Sequence, residues 1–139
     1  LIKKEIIEID EFDTSIRHIF NYGHTFGHAI EAITNYAIPH GQAISIGMNL
    51  ANFISLQMNM ITRGQFDEMY QLLKLNMPAF KVTAENIDEY CAALSKDKKN
   101  VGNKLGCILT EGAGKMKKCF VDMDDDFRKT LLTYSEVYG

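Results

Sequence analysis

The segment "NYGHTFGHAIE" at residues 21–31 concentrates side chains that can bind a metal ion or an anion. His24 and His28 are four positions apart, so on a helix their rings share one face, about 6 Å apart along the axis. Asn21 precedes His24 by three residues, and Arg17 lies one turn earlier on the same face. This polar line suits a shared metal ion or a shared anionic ligand.

A glycine stands directly before each of these two histidines. Inside a helix, Gly23 and Gly27 would each be less favourable than alanine by about 1 kcal/mol. Such a loss normally has a reason, such as the close approach of a neighbouring backbone or of a ligand. The glycines therefore predict a tightly packed helix whose imidazoles stay accessible in a cleft.

A third imidazole comes from His40, in "IPHGQA", at a predicted junction between a loop and a helix. Three histidines from neighbouring elements can ligate zinc, although catalytic zinc often also has a carboxylate ligand. Glu31 is the local candidate for that ligand, but its position three residues after His28 favours an ordinary outward-facing side chain. His18 lies off the polar line and is interpreted as a surface or structural residue.

The elements that must position these residues are predicted to be mainly α-helical. Only Pro39 and Pro78 interrupt the 139 residues, and several segments carry apolar residues at helical spacing. The short runs "CILT" and "KCFVD", flanked by glycines, predict a small β-hairpin. The fold class is thus a mainly α, bundle-like helical domain with one hairpin. The predicted helices cover approximately residues 13–35, 39–60, 63–75, 84–96 and 125–138.

Length and composition favour one globular domain and exclude some classes of function. The 46% of hydrophobic residues can build a single core, and the net charge of −3 gives no field that would hold nucleic acid. Residues 43–61 are the most apolar stretch, but polar side chains interrupt it too often for a membrane span, so a buried helix is predicted. Three cysteines without a CxxC pair indicate a reducing compartment, and hence the cytoplasm.

Three other segments contain charged residues or glycines, but their residues alone do not indicate a binding site. Lys98 and Lys99 in "KDKKN" are interpreted as a solvated helix end, where cations are favoured. The segment "GAGK" lacks the spacing of a phosphate-binding P-loop. The segment "DMDDD" begins like a calcium loop, but Phe127 stands where that loop needs glycine, so helix capping is predicted.

The run "RHIFNYGHTFGHAIE", followed by "HGQAISIGM", resembles the C-terminal domain of the 3-dehydroquinate synthases, members of the sugar phosphate cyclase superfamily. Lys3 with "EIDEFD", and "DKKNVGNKLGCILTEGAGK" further on, extend the resemblance to nearly the whole chain. Gln42 takes the place of the glutamate that is usual in this pattern. The resemblance implies that residues 1–139 form a single helical metal- and substrate-binding domain. It further implies a fragment that lacks an N-terminal NAD-binding domain and is inactive in isolation.

The activity implied by the resemblance is that of a phosphorus-oxygen lyase of the shikimate pathway. It converts 3-deoxy-D-arabino-heptulosonate 7-phosphate into 3-dehydroquinate and phosphate, using NAD and zinc or another divalent metal. His24 and His40 would be the metal ligands, and His28 and Asn21 would be catalytic residues that contact the phosphate and hydroxyls of the substrate. Four basic residues would also bind the substrate: Lys3, Arg17, Lys98 and Lys99.

The partner implied by the resemblance is a small phosphorylated sugar acid, with neither nucleic acid nor a membrane involved. NAD would be bound mainly by the N-terminal domain, and a homodimer of the full-length protein stays open. Three alternative functions also stay open. They are another cyclase, of the 2-deoxy-scyllo-inosose or 2-epi-5-epi-valiolone synthase type, a relative of the metal-dependent alcohol and glycerol dehydrogenases, and a non-catalytic helical module.

Overall fold

The computed structural model describes residues 23–96, 104–112 and 115–139. Within these ranges the chain forms helices packed around one central helix, with a two-stranded antiparallel hairpin between the last two of them. The predicted fold class is confirmed. The elements in chain order are α1 (His24–Ile33), α2 (His40–Gln57), α3 (Arg63–Leu73), a 3₁₀ turn (Lys74–Asn76), α4 (Ile87–Ser95), β1 (Lys104–Gly112), β2 (Lys115–Asp122) and α5 (Asp125–Tyr138).

The central helix is α2, which contacts α1, α3, α5 and strand β1. Its middle turns are buried because apolar and small residues occupy most of its circumference, so every side of the helix can accept a neighbour. The buried helix predicted over residues 43–61 is confirmed, although it ends at Gln57, just before Asn59 turns to a left-handed φ of 60°. None of the described helices is long and apolar enough to cross a membrane.

Buried hydrogen bonds connect α4 to α1 and the hairpin to α2. The hydroxyl of Tyr90 in α4 donates a hydrogen bond of 3.1 Å to the carbonyl oxygen of Phe26 in α1. The amide of Thr110 in β1 donates to the hydroxyl oxygen of Ser55 in α2, also over 3.1 Å. Because a buried donor without a partner is unfavourable by about 1–3 kcal/mol, these bonds fix where α4 and the hairpin dock.

The predicted hairpin is confirmed, and its strands are longer than the two runs that indicated it. Cys107 in β1 pairs across the hairpin with Cys119 in β2, and the register shifts between Thr110 and Gly112. Both cysteines are free thiols. Burial raises the pKa of Cys107 to about 12, so this thiol stays protonated at neutral pH and behaves as a small apolar side chain.

The first and fourth helices begin later in the chain than the sequence predicts. The first helix was predicted to pass through Gly23, but Gly23 has a left-handed φ of 81°, so α1 begins at His24. The predicted start of that helix, near Asp13, lies outside the described residues. The fourth helix begins at Ile87 and not directly after Thr83, because a turn comes first, in which Asn86 Oδ1 accepts a hydrogen bond from the amide of Thr83.

The last helix starts where the sequence predicted, with an acidic residue as its cap. Asp124 Oδ1 accepts a hydrogen bond of 2.9 Å from the amide of Phe127, which confirms the capping role of "DMDDD". We expect Asp124→Ala to lower the free energy of unfolding by about 1 kcal/mol, because one amide of the first helical turn loses its acceptor. Asp124→Asn keeps an acceptor and should stay within a few tenths of a kcal/mol of the original chain. Chemical denaturation measures both variants, and equal losses would contradict the capping role.

Candidate metal centre

The candidate site lies where α1 and α2 approach each other closely, and glycines make this approach feasible. A Cβ atom added to Gly27 would lie 2.7 Å from Ile44 Cδ1 and 3.1 Å from the carbonyl oxygen of Ala43. A Cβ atom on Gly47 would collide with the carbonyl oxygen of Gly23 and lie 2.7 Å from the amide nitrogen of Gly27. The close approach of a neighbouring backbone, predicted from the sequence, is therefore confirmed.

A short turn between α1 and α2 reverses the direction of the chain and places His40 beside the histidines of α1. The amide of Tyr36 donates to the carbonyl oxygen of Glu31 over 2.8 Å, which closes the end of the helix. Asn35 and Tyr36 both have left-handed φ angles, of 51° and 61°, a conformation that often ends helices. Pro39 is the N-cap of α2, so the helix begins at His40, one residue later than the predicted range of 39–60. The predicted place of His40, at a junction between a loop and a helix, is confirmed.

His24, His28 and His40 form one cluster, which we call the histidine cluster. The ring centroids of His24 and His28 are 5.2 Å apart, and each of these rings lies 5.8 Å from that of His40. One ring nitrogen from each residue falls within 4.8 Å of the other two. His24 is half-buried whereas His28 and His40 are exposed, so solutes can reach the cluster.

Behind His40 lies the carboxylate of Glu31, for which the sequence interpretation was wrong. Glu31 does not face outward, since its side chain is only 11% exposed while that of His40 is 58% exposed. His40 Nδ1 and Glu31 Oε1 are 2.9 Å apart, a hydrogen-bonding distance. The side chain turns inward because Glu31 follows His24 by seven residues, about two helical turns, and so shares the face that packs toward α2.

The donor set of the histidine cluster suits zinc or a similar divalent metal. Zn–N bonds of about 2.0–2.1 Å allow two ligand nitrogens to be at most about 4.2 Å apart. The nitrogens of the cluster already lie within 4.8 Å of one another, so small rotations of exposed rings would bring them to bonding distances. Imidazole nitrogen is a common ligand of zinc, copper, iron and nickel. A metal ion therefore fits these residues.

The other predicted site residues lie outside the described part of the chain. The structure consequently gives no position for the amide or the basic side chains that were expected to bind the substrate, nor for the histidine interpreted as structural. These residues are Lys3, Arg17, His18, Asn21, Lys98 and Lys99.

Over about a third of their length, solved structures of sugar phosphate cyclases share the fold of this chain. A 2-deoxy-scyllo-inosose synthase complexed with carbaglucose-6-phosphate, NAD⁺ and Co²⁺ superposes with a TM-score of 0.69 and 30% identity, over 83% of this chain and 34% of that one. The 2-epi-5-epi-valiolone synthase of Streptomyces hygroscopicus, with NAD⁺ and Zn²⁺ bound, superposes with a TM-score of 0.60 over 84% of this chain and 32% of that one. At 22% identity, the second likeness concerns the fold alone.

The sequence defines the family within this class. Residues 1–100 match the family described as 3-dehydroquinate synthase C-terminal, and the chain belongs to this family. The 3-dehydroquinate synthase of Campylobacter hominis is 39% identical over 121 residues, which are 85% of this chain and 35% of the relative. That of Thermodesulfovibrio yellowstonii is 34% identical over 132 residues, or 94% of this chain and 37% of the relative. The chain thus spans about a third of the length of these relatives.

Two residues of the site region were not assigned their roles from the sequence. The sequence indicates Glu31 as a possible ligand or as an outward-facing residue, and it does not indicate the bond to His40. Gly47 leaves room for the backbone of α1, a role that the histidine pattern does not predict. A signal for Gly47 did exist, because a glycine inside an apolar helix usually has a packing reason.

Proposed function

We propose that the chain is the metal- and substrate-binding part of a 3-dehydroquinate synthase. Such an enzyme converts 3-deoxy-D-arabino-heptulosonate 7-phosphate into 3-dehydroquinate and phosphate. The observation that carries the proposal is the histidine cluster, in which His24, His28 and His40 present ring nitrogens within 4.8 Å of one another. The family of the chain supports the choice of reaction, and relatives at 34–39% identity carry the name of this enzyme.

In this proposal, His24 and His40 hold the metal ion. The two residues come from different helices, so the tight packing of α1 against α2 sets the distance between their rings. A zinc ion bound there would supply Lewis-acid polarisation of the substrate hydroxyls. His40 is exposed at the start of α2, so an ion held by its ring would lie at a surface that the substrate can reach.

His28 and Asn21 act on the substrate in this proposal. The ring of His28 is exposed, lies beside the two proposed ligands, and can donate a hydrogen bond to a phosphate or hydroxyl oxygen of the substrate. Basic side chains would hold the phosphate and carboxylate groups in place while the ring forms. This anion clamp would consist of Lys3, Arg17, Lys98 and Lys99.

The remaining parts of the proposal concern the whole enzyme. NAD would be bound mainly by a part of the enzyme outside this chain, and the substrate would be a small phosphorylated sugar acid. This assignment is supported by a solved relative at 30% identity, a 2-deoxy-scyllo-inosose synthase whose complex contains NAD⁺ and Co²⁺. We further propose that the enzyme works in the cytoplasm, because the three cysteines of this chain include no CxxC pair.

A second candidate is another sugar phosphate cyclase. It is favoured by the TM-score of 0.69 and the 30% identity with the 2-deoxy-scyllo-inosose synthase. The two candidates share the site and differ in the sugar phosphate that closes into a ring. The histidine cluster therefore supports both, and only a substrate assay separates them.

The assay uses the protein encoded by the complete reading frame that contains this chain, supplied with NAD and Zn²⁺ or Co²⁺. We expect 3-deoxy-D-arabino-heptulosonate 7-phosphate to yield 3-dehydroquinate and one equivalent of phosphate, and His24→Ala to abolish this activity. Release of phosphate from another sugar phosphate, with formation of a different carbocycle, would favour the second candidate. A protein that acts on no sugar phosphate while binding metal would contradict both.

A further inference from the structure

We propose that Glu31 is a positioning residue, which holds the ring of His40 so that the Nε2 atom of that ring is the one offered to a metal ion. The inference rests on the proposed function, because it assumes that His40 is a ligand. It assigns to Glu31 neither substrate contact nor metal coordination. The carboxylate acts through the imidazole.

The hydrogen bond between the two side chains determines which ring nitrogen is available. An ionised carboxylate only accepts hydrogen bonds, so in a bond of 2.9 Å the Nδ1–H group of His40 is the donor and Glu31 Oε1 the acceptor. The lone pair of the neutral ring then resides on Nε2. Carboxylate partners of this kind fix the tautomer and orientation of metal-ligating histidines in many proteins and raise their basicity.

Burial shows which member of the pair holds the other in place. The carboxylate is largely enclosed, whereas more than half of the surface of the His40 side chain is open to solvent. An exposed ring at the first position of a helix would otherwise sample several rotamers, and ordering it upon metal binding would be unfavourable in entropy. Glu31 sits on α1, as do His24 and His28, so its bond ties the ring of α2 to the helix that bears the rest of the histidine cluster.

A direct role of Glu31 as a metal ligand fits the geometry less well. Within the described residues, the group of side chains with mutually close ligand atoms contains the three histidines and does not contain Glu31. Its carboxylate bonds instead to His40 Nδ1. An oxygen that accepts this hydrogen bond strengthens the histidine as a ligand without occupying a position on the metal.

The test is a titration of the 139-residue chain with Co²⁺, followed by the visible absorption bands of the bound ion. Glu31→Met removes the acceptor but keeps a long side chain in the buried space, and Glu31→Ala removes both. We expect each to weaken Co²⁺ binding by about 10–100-fold, the usual effect of losing such a partner. Glu31→Gln retains an acceptor for Nδ1–H and should restore most of the lost affinity. Glu68→Gln, at an exposed glutamate of α3, controls for the loss of one negative charge.

A purely structural role is separated by repeating the substitution in a His40→Ala background. If Glu31 acts through His40, Glu31→Met should change the dissociation constant there by less than about twofold, because the group it positions is gone. An equal loss in both backgrounds would overturn the inference, as would unchanged Co²⁺ binding by a folded Glu31→Met chain. If circular dichroism shows that Glu31→Ala does not fold, the Co²⁺ binding of Glu31→Met and Glu31→Gln tests the inference.

Co²⁺ binding by the histidine variants distinguishes a wrong role for Glu31 from a wrong metal site. If His24→Ala and His40→Ala weaken Co²⁺ binding by more than about 100-fold while the Glu31 variants bind normally, the metal site stands and only the role of Glu31 is wrong. If the histidine variants bind Co²⁺ as tightly as the original chain, the metal site itself is wrong, and the role of Glu31 falls with it.

Discussion

Replacement of His24 or His40 by alanine is expected to weaken Zn²⁺ binding by the chain by more than about 100-fold. Loss of a residue that only supports a ligand already weakens binding by about 10–100-fold, and a direct ligand should exceed that range. The two histidines should have similar effects, because their rings flank the same point from different helices. Isothermal titration calorimetry at fixed pH measures both variants against the original chain.

Two further variants sharpen this prediction. His28→Ala should weaken Zn²⁺ binding less than either of the other substitutions, since His28 is assigned to the substrate. His18→Ala removes the fourth histidine of the chain, which is interpreted as structural, and should leave the affinity unchanged. Equal losses in all four variants would mean that the ion binds wherever histidine is available, and would contradict a defined centre.

The second large effect is expected for Gly47→Ala, which should lower the free energy of unfolding by about 3 kcal/mol or more. The new Cβ would collide with the carbonyl oxygen of Gly23 and lie 2.7 Å from the amide nitrogen of Gly27. Both are backbone atoms, so no side chain can rotate away, and α1 must move from α2. The same displacement separates His24 from His40, so weaker Zn²⁺ binding should accompany the loss of stability.

Gly64→Ala is the matched control for Gly47→Ala. Gly64 lies in α3, and the nearest atom to its added Cβ is the hydroxyl oxygen of Thr62, at 3.9 Å. Because alanine is the better helix former, this variant should be as stable as the original chain, or more stable by up to about 1 kcal/mol. Thermal and chemical unfolding measure both variants. A Gly47→Ala chain as stable as the Gly64→Ala chain would show that the helices are not packed through glycine.

Local patterns in the sequence predicted most of the fold, because they report interactions within a few residues. The bounds of α5 follow from the cap at Asp124 and from apolar residues at helical spacing. The start of α2 follows from Pro39. Gly23 shows the limit of such reasoning. Gly23 has a left-handed φ, and a Cβ added there would lie 2.8 Å from the amide nitrogen of Met48. This close packing joins residues that are distant in the sequence, so a local pattern does not reveal it.

The candidate site was predictable to a similar extent and for similar reasons. The spacing of His24 and His28 placed two rings on one face of a helix, and "IPHGQA" marked His40 as the start of the next helix. The sequence does not predict the pairing of Glu31 with His40, because the pairing depends on the turn that brings the start of α2 back beside α1. Tyr36 has a left-handed conformation in that turn. The prediction that Glu31 faces outward is wrong, because the packing of α2 buries the face of α1 that bears this side chain.

Both the proposed function and the role of Glu31 depend on imidazoles from α1 and α2 binding a single metal ion. X-ray absorption at the zinc edge, on the chain loaded with one equivalent of Zn²⁺, measures the ligands of the ion directly. We expect at least two imidazole nitrogens at about 2.0–2.1 Å from zinc, and the loss of one of them in His40→Ala. A spectrum with oxygen ligands alone, or with the same imidazole count after that substitution, would contradict this expectation.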